Sequence, residues 1–271
     1  MHMAKPSGFA WLSKKAPLVG AFFMGAIWHA SAHAHCPVPA KAQQAAVRQV
    51  VDGDTLRLAD GRSVRLIGIN APEVGRRGQA GEPYAEAARR RLQALVRASD
   101  GRVGLVLGRQ AKDHYGRTLA HVYGREGDNF EARLLAEGLA YQVALAPNLA
   151  LVDCQRQAER QARQARLGLW RHAPVRRATS IMRPGFALVA GRVGSIERNR
   201  GGTWLELDGH LTVHIPAGQQ RRFPAGFFDR LQGRTMEVRG WVRERGTTAA
   251  RRGKRPRWLV SVSDPVMLQR H

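Results

Sequence analysis

The chain is 271 residues long and carries a formal charge of +23, from 44 basic and 21 acidic side chains. Its 44% hydrophobic content is enough to fill the core of one or two domains, which excludes a chain too polar to fold. The charge favours polyanionic partners, because such a field draws them in and speeds their encounter. Solubility, or an arginine-rich lineage, is the plainer reading of the same number.

Residues 1–34 read as a secretory signal. Lys5, Lys14 and Lys15 form a positive front, residues 16–28 an apolar run too short to span a bilayer comfortably, and Ala32-His33-Ala34 a small-x-small cleavage pattern. An uncleaved membrane anchor is the rival reading. Export places the chain in the periplasm or outside the cell, without stable membrane insertion once the signal is removed. The two cysteines, Cys36 and Cys154, then invite a disulfide. It would tie the mature N-terminus to the last helix of the first domain, and is worth on the order of 4 kcal/mol in the chain-entropy model. Two unrelated thiols are the alternative, and His35 before Cys36 argues against a lipid-attachment cysteine.

Residues 51–73 organise the first domain. Thr55-Leu56-Arg57-Leu58 alternates as a half-buried strand does, Asp60-Gly61 suits a tight hairpin turn, and residues 64–69 read as the returning strand. Asp54 begins one strand, and Asn70 and Glu73 follow the other, so these groups meet at one end of the hairpin. Arg65 can point to that end too. Carboxylate and amide oxygens beside a guanidinium suit a hard cation and a phosphate.

A Gly-rich basic loop follows at 74–81, where Arg76 and Arg77 reach a nucleic-acid backbone or simply connect. Residues 82–98 read as a helix, and 103–107 and 118–123 as strands, with Asp113-His114-Tyr115-Gly116-Arg117 turning between them. Asp128 or Asn129 caps a short helix that ends at Gly138. Asp153 caps a last helix with the stripe Ala158, Ala162 and Ala165, ended by Gly168 and closed by Trp170.

Residues 171–185 form a basic, Pro-containing linker. Beyond it, 187–196, 203–207, 211–215, 236–242 and 258–262 read as five strands, with one helix at 223–231 between the third and fourth. The loop 243–257 is intensely basic and lies near Trp204, Trp241 and Trp258 in the pattern. That combination binds single strands by charge and stacking, unless the tryptophans are core. This half has no carboxylate cluster or nucleophile constellation, so it is expected to bind or stabilise rather than catalyse.

Taken together, Asp52-Gly53-Asp54-Thr55, the run from Arg65 to Glu73 and Asp113-His114-Tyr115-Gly116-Arg117 resemble the staphylococcal-nuclease (thermonuclease) family over residues 47–170. The resemblance implies a mainly β fold with α (α+β): a five-stranded OB-fold barrel of the thermonuclease type at 35–170. A second small OB-like β-barrel is expected at 186–271, on pattern rather than motif. It also implies a calcium-dependent nuclease that hydrolyses phosphodiesters of DNA and/or RNA to 3′-phosphate ends. On that likeness Asp54, Asn70 and the backbone carbonyl of Ala71 hold Ca2+, with Asp52 adding negative potential from behind. Glu73 orients and deprotonates the attacking water, Arg65 and Arg117 grip the phosphate as planar forks, and Tyr115 hydrogen-bonds it. Arg76 and Arg77, from the basic character of their loop alone, are expected as further substrate contacts.

Two departures stand out. Asn70 replaces an aspartate of the best-known member, which implies weaker cation affinity. The family's base-stacking tyrosines have no match in Val143-Ala144-Leu145-Ala146-Pro147-Asn148. A catalytically weak nucleic-acid-binding protein is the alternative, followed by an envelope protein that meets acidic polymers. Nothing indicates an oligomer, and a monomer is expected.

Overall fold

The computed structural model describes residues 1–2, 36–38, 40–75, 78–172, 174–246 and 255–270. The expected signal beyond residue 2, as well as Arg76 and Arg77, lies outside the described residues. Chain order is β1 (Gln43–Val50), β2 (Thr55–Leu58), β3 (Ser63–Leu66), β4 (Ile69–Asn70), α1 (Ala85–Ala98), β5 (Arg102–Lys112), β6 (Thr118–Tyr123), α2 (Phe130–Ala136), β7 (Tyr141–Gln142) and α3 (Val152–Gln164). Five of these strands close a barrel in the order β1-β2-β3-β6-β5, with β3 and β6 parallel and β1 returning onto β5. The alternation in β2 and β3 drives this closure. Leu56, Leu58, Val64 and Leu66 point inward and are buried, and truncating one such leucine to alanine costs about 2–5 kcal/mol.

The structure differs from the sequence reading in several places, each for a local reason. β1 carries a weak pattern, with only Ala45 and Val50 buried, and periodicity does not reveal it. The returning strand stops at Leu66 because Gly68, at φ +88°, turns the chain. Ile69–Asn70 then pairs with Tyr141–Gln142 instead. A Cβ on Gly68 would lie 2.0 Å from Gln155 Oε1, so the same glycine lets this turn press against α3. Asn129, not Asp128, caps α2, accepting from Ala132 N. Asp153 lies inside the first turn of α3 rather than at its cap, which is Leu151. Ala165 is exposed at the other end, and the buried stripe of α3 includes Gln155 and Glu159 beside Ala158 and Ala162. Cys36 and Cys154 are joined, which fastens the segment before β1 to α3.

The second half contains β8 (Val175–Arg177), β9 (Gly185–Asn199), β10 (Gly202–Leu207), β11 (Leu211–Pro216), β12 (Thr235–Glu244), β13 (Trp258–Ser261) and β14 (Leu268–Arg270). The five expected strands are present, and β12 pairs back onto β9 to close the ring β9-β10-β11-β13-β12. β11 and β13 are parallel, as β3 and β6 are, so the two barrels share one strand order. The segment expected to be a linker includes β8, which adds parallel to β9. The expected helix at 223–231 is a series of turns. Pro224 and Gly226, at φ +68°, break it, and Phe223, Phe227 and Phe228 pack on one another at 5.0 to 5.3 Å.

The described residues from Cys36 onward form one compact unit. Its seam runs between α3 and the outward face of β12. Even-numbered residues of β12, Met236, Val238 and Val242, enter the core of the second barrel. Odd-numbered ones face out. Arg239, only 2% exposed, donates through Nη1 to Glu159 Oε1 (2.7 Å) and Oε2 (2.6 Å), and through Nη2 to Glu237 Oε1 (3.3 Å). Glu237 accepts from Arg163 Nη1 (3.0 Å) and Nη2 (2.6 Å). Burial alone would lower the pKa of Arg239, but Glu159 and Glu237 outweigh it and raise it. An aromatic chain lies along the same seam: Trp170, Tyr141, Phe186 and Trp241, with successive ring centroids 5.4, 5.6 and 5.2 Å apart.

Candidate active site

The turn at Asp52-Gly53-Asp54 sets one wall. Gly53 is packed so closely that a Cβ there would lie 2.6 Å from the Cβ atoms of both Ala71 and Ala88. Only glycine lets this turn approach the chain after β4 and the side of α1, and that approach buries Asp54 to 4% exposure. Asp54 Oδ2 accepts from Ala71 N (2.7 Å), and Oδ1 from Thr55 Oγ1 (3.0 Å). Asp52, also buried, accepts from Asp54 N through Oδ1 (3.1 Å). The Arg65 guanidinium bridges the two predicted side-chain ligands. Its Nη1 pairs with Asp54 Oδ2, and its Nη2 donates to Asn70 Oδ1 (3.2 Å). Register explains this, since Thr55 lies opposite Arg65 in the β2–β3 ladder.

Burial raises the Asp54 carboxyl to about 7, against the opposing pull of Arg65, with Asp52 pushing it up further and the Ala71 and Thr55 hydrogen bonds pulling it down. A buried acid beside a second buried acid, converging with an amide oxygen on one positive group, is chemically suited to a cation. The donor set is thin: among the described residues no three His, Cys, Asp or Glu side chains converge. Asn70 is the position at which a third acid would complete such a cluster.

A cleft of about 720 Å³ opens over this corner. Arg65, Asn70, Glu73, Tyr115 and Arg117 all line it. Glu73 is exposed and held by its backbone: its N–H donates to Glu82 Oε2 (2.9 Å), and its carbonyl accepts from Glu82 N (2.9 Å). Arg117 is positioned by Asp113, which accepts from its Nε (2.7 Å) and its backbone N (2.9 Å). Arg117 also sits 5.4 Å from the ring centre of Tyr115, which is 74% exposed. Gly116, at φ +78°, makes the turn that brings both side chains over the cleft. The structure therefore gathers the predicted catalytic side chains around one opening, with Asp54 and Asp52 beneath it. The Ala71 amide, on the same peptide stretch, ties that segment to Asp54.

Sequence reasoning missed part of this wall. Asn148 fixes it by clasping Gln110: Oδ1 accepts from Gln110 N (2.9 Å) and Nδ2 donates to Gln110 O (2.9 Å). Both residues line the cleft, and neither carries a sequence signal for doing so. Trp241 also lines it, from the second barrel. The three tryptophans grouped by the sequence pattern part company here. Trp258 is core, Trp204 stacks on His214, and Trp241 faces the cleft.

An OB-type barrel with two arginines and an exposed glutamate at one opening, above buried acids, defines a nuclease that hydrolyses phosphodiester bonds. Residues 63–172 match the family model described as staphylococcal nuclease homologue. Over 128 residues the chain is 37% identical to a thermonuclease of Staphylococcus intermedius, covering 46% of this chain and 74% of that protein. It is 34% identical to a thermonuclease of Staphylococcus hyicus, covering 46% and 73%. It is also 34% identical to endonuclease YncB of Bacillus subtilis (strain 168), covering 45% and 59%. The chain belongs to the staphylococcal nuclease homologue family.

Proposed function

We propose that the protein is an exported, calcium-dependent nuclease that cleaves DNA and/or RNA to leave 3′-phosphate ends. The observation that carries this is the single cleft that collects Arg65, Asn70, Glu73, Tyr115 and Arg117 above Asp54. Asp54, Asn70 and the Ala71 carbonyl would hold the cation, with Asp52 adding negative potential. When bound, Ca2+ polarises the phosphate and offsets charge growing on its equatorial oxygens. Glu73 orients a water and takes its proton as the water oxygen bonds to phosphorus. The bond to the 5′ oxygen breaks, and that oxygen leaves as a hydroxyl with a proton from solvent. Arg117 presents a fork to the phosphate, and Tyr115 a hydroxyl. Arg65 is held by Asp54 and Asn70, and would turn its outer nitrogens to the phosphate if a cation took those two oxygens.

The disulfide supports an oxidising compartment, and no helix among the described residues is long and apolar enough to cross a membrane. The domains are assigned as a signal at 1–34, a nuclease barrel at 35–170, a connecting segment at 171–185 and a second barrel at 186–271. Asn70, which leaves the cation site one charge short, favours a second reading: a nucleic-acid-binding protein with weak catalysis. One assay decides between them. Single- and double-stranded DNA and RNA are incubated with the purified protein in calcium or in chelator, alongside Glu73→Gln and Arg117→Ala. Cleavage in calcium alone, lowered about 100-fold or more by either substitution, is expected. Binding without calcium-dependent cleavage overturns the nuclease reading in favour of the second.

A further inference from the structure

Trp241 is 41% exposed, with its ring at 66° to that of Phe186, and it borders the cleft that holds Arg65, Glu73 and Arg117. The nuclease barrel offers no aromatic ring of its own at 143–148, where Leu145 and Ala146 line the wall. An indole stands there instead, delivered by the other barrel and fixed by the seam: Ser263 Oγ donates to Ala144 O (2.8 Å) and accepts from Ala146 N (3.2 Å).

The outward face of β12 continues past Trp241 to Arg243 and then Arg245, whose N–H extends the ladder to Arg257 O (2.8 Å). Four residues of strand span about 13 Å. Arg245 Nε and Nη2 are buried and meet no acceptor among the described residues. Burial, together with the like charges of Arg255 and Arg243, lowers the pKa of Arg245 against the opposing pull of Glu197, whose carboxylate accepts from Arg255 Nη2 (2.8 Å). Desolvated guanidinium donors that meet no acceptor, in the company of other cations, are built to receive an anion. Beside them Trp204 stacks flat on His214, with centroids 3.7 Å apart and planes at 12°, and Arg245 and Arg255 lie 5.6 and 5.4 Å from its ring centre. Aromatic faces alternating with arginines recognise unpaired bases and their phosphates.

We propose that the outward face of β12 guides a single nucleic-acid strand from the cleft: Trp241 stacks a base beside the scissile phosphate, and Arg243 and Arg245 hold the phosphates that lead toward the Trp204–His214 stack. The guide rests on the nuclease reading for its direction, but its binding is separable from cleavage. A duplex fits poorly, since its bases keep their faces to one another.

The test uses the full chain in chelator, with affinity read by anisotropy for an oligothymidylate dodecamer and for an abasic backbone of equal length. Trp241→Ala is expected to weaken the dodecamer about tenfold and to leave the abasic strand unchanged, while Trp241→Phe keeps most of the affinity. Arg245→Ala weakens both strands and makes the salt dependence shallower. Unchanged melting temperatures establish that the variants fold. Equal weakening of both strands by Trp241→Ala, or none, overturns the proposal, as does an Arg245→Ala salt slope equal to that of the unaltered chain. In calcium, the Trp241→Ala enzyme shows a larger rise in KM for the dodecamer than fall in kcat. An unaltered protein that binds the dodecamer through Trp241 but never cleaves it refutes the nuclease reading and leaves the guide standing.

Discussion

The seam between the barrels makes a quantitative demand. Arg239→Met removes the guanidinium that answers Glu159, a side chain 4% exposed. Glu237 keeps Arg163, but among the described residues Glu159 keeps only the Gln142 N–H at 2.7 Å. Removing one partner of a buried ion pair leaves an uncompensated charge and costs about 3–5 kcal/mol. In a unit of this size that lowers the melting temperature by roughly 10 °C. Arg239→Met combined with Glu159→Gln removes both charges and should recover most of the loss, because the coupling is local. Calorimetry in chelator measures both. A loss below about 1 kcal/mol in the single variant, or additive losses in the double, would refute the view that this pair clamps the two barrels.

Three further outcomes are expected. Asn70→Asp restores a formal charge to the cation site, so the calcium concentration for half-maximal cleavage falls; a rise counts against the ligand assignment. Cys36→Ser with Cys154→Ser opens a loop of 118-residue separation and lowers the urea midpoint by an amount equivalent to about 4–5 kcal/mol, measured against the oxidised chain. Asp54 sets a pH dependence. Its folded value of about 7 lies above the ordinary 3.8 of an aspartate, so the stability it contributes to the metal-free protein is full below about 4 and is lost as pH rises through 7. Asp54→Asn should flatten that slope in denaturant titrations at pH 5 and pH 8. Because cation uptake displaces the same proton, calcium affinity should also fall as pH drops below 7.

The barrels were legible where burial follows a simple period. β2, β3 and the five strands of the second half each put apolar residues on one face, and Gly61 and Gly209 mark turns with positive φ. The gathering of the candidate residues at one cleft was legible because they flank one hairpin and one turn. β1 was not, since its glutamines and alanines carry little apolar pattern and only Ala45 and Val50 are buried. Nor was the burial of Glu159 and Arg239. Each looks like a solvated charge on its own element, and only docking α3 against β12 turns the two into an interior pair. Trp241 has the same history: the strand was clear, but the cleft it faces belongs to residues a hundred positions earlier. The helix expected at 223–231 gives way to turns at Pro224 and Gly226.

Strand β12 engages α3 through Glu237 and Arg239, then reaches the cleft with Trp241, all on alternate residues. A single inserted or deleted residue between Arg239 and Trp241 would rotate the indole into the apolar interior and send a core side chain outward. Length changes here are tolerable only in pairs, each moving the ring by about 6.6 Å along the strand. The reach of the second barrel into the nuclease cleft is thus quantised by the pleat, and cannot be tuned in smaller steps by changing the number of residues.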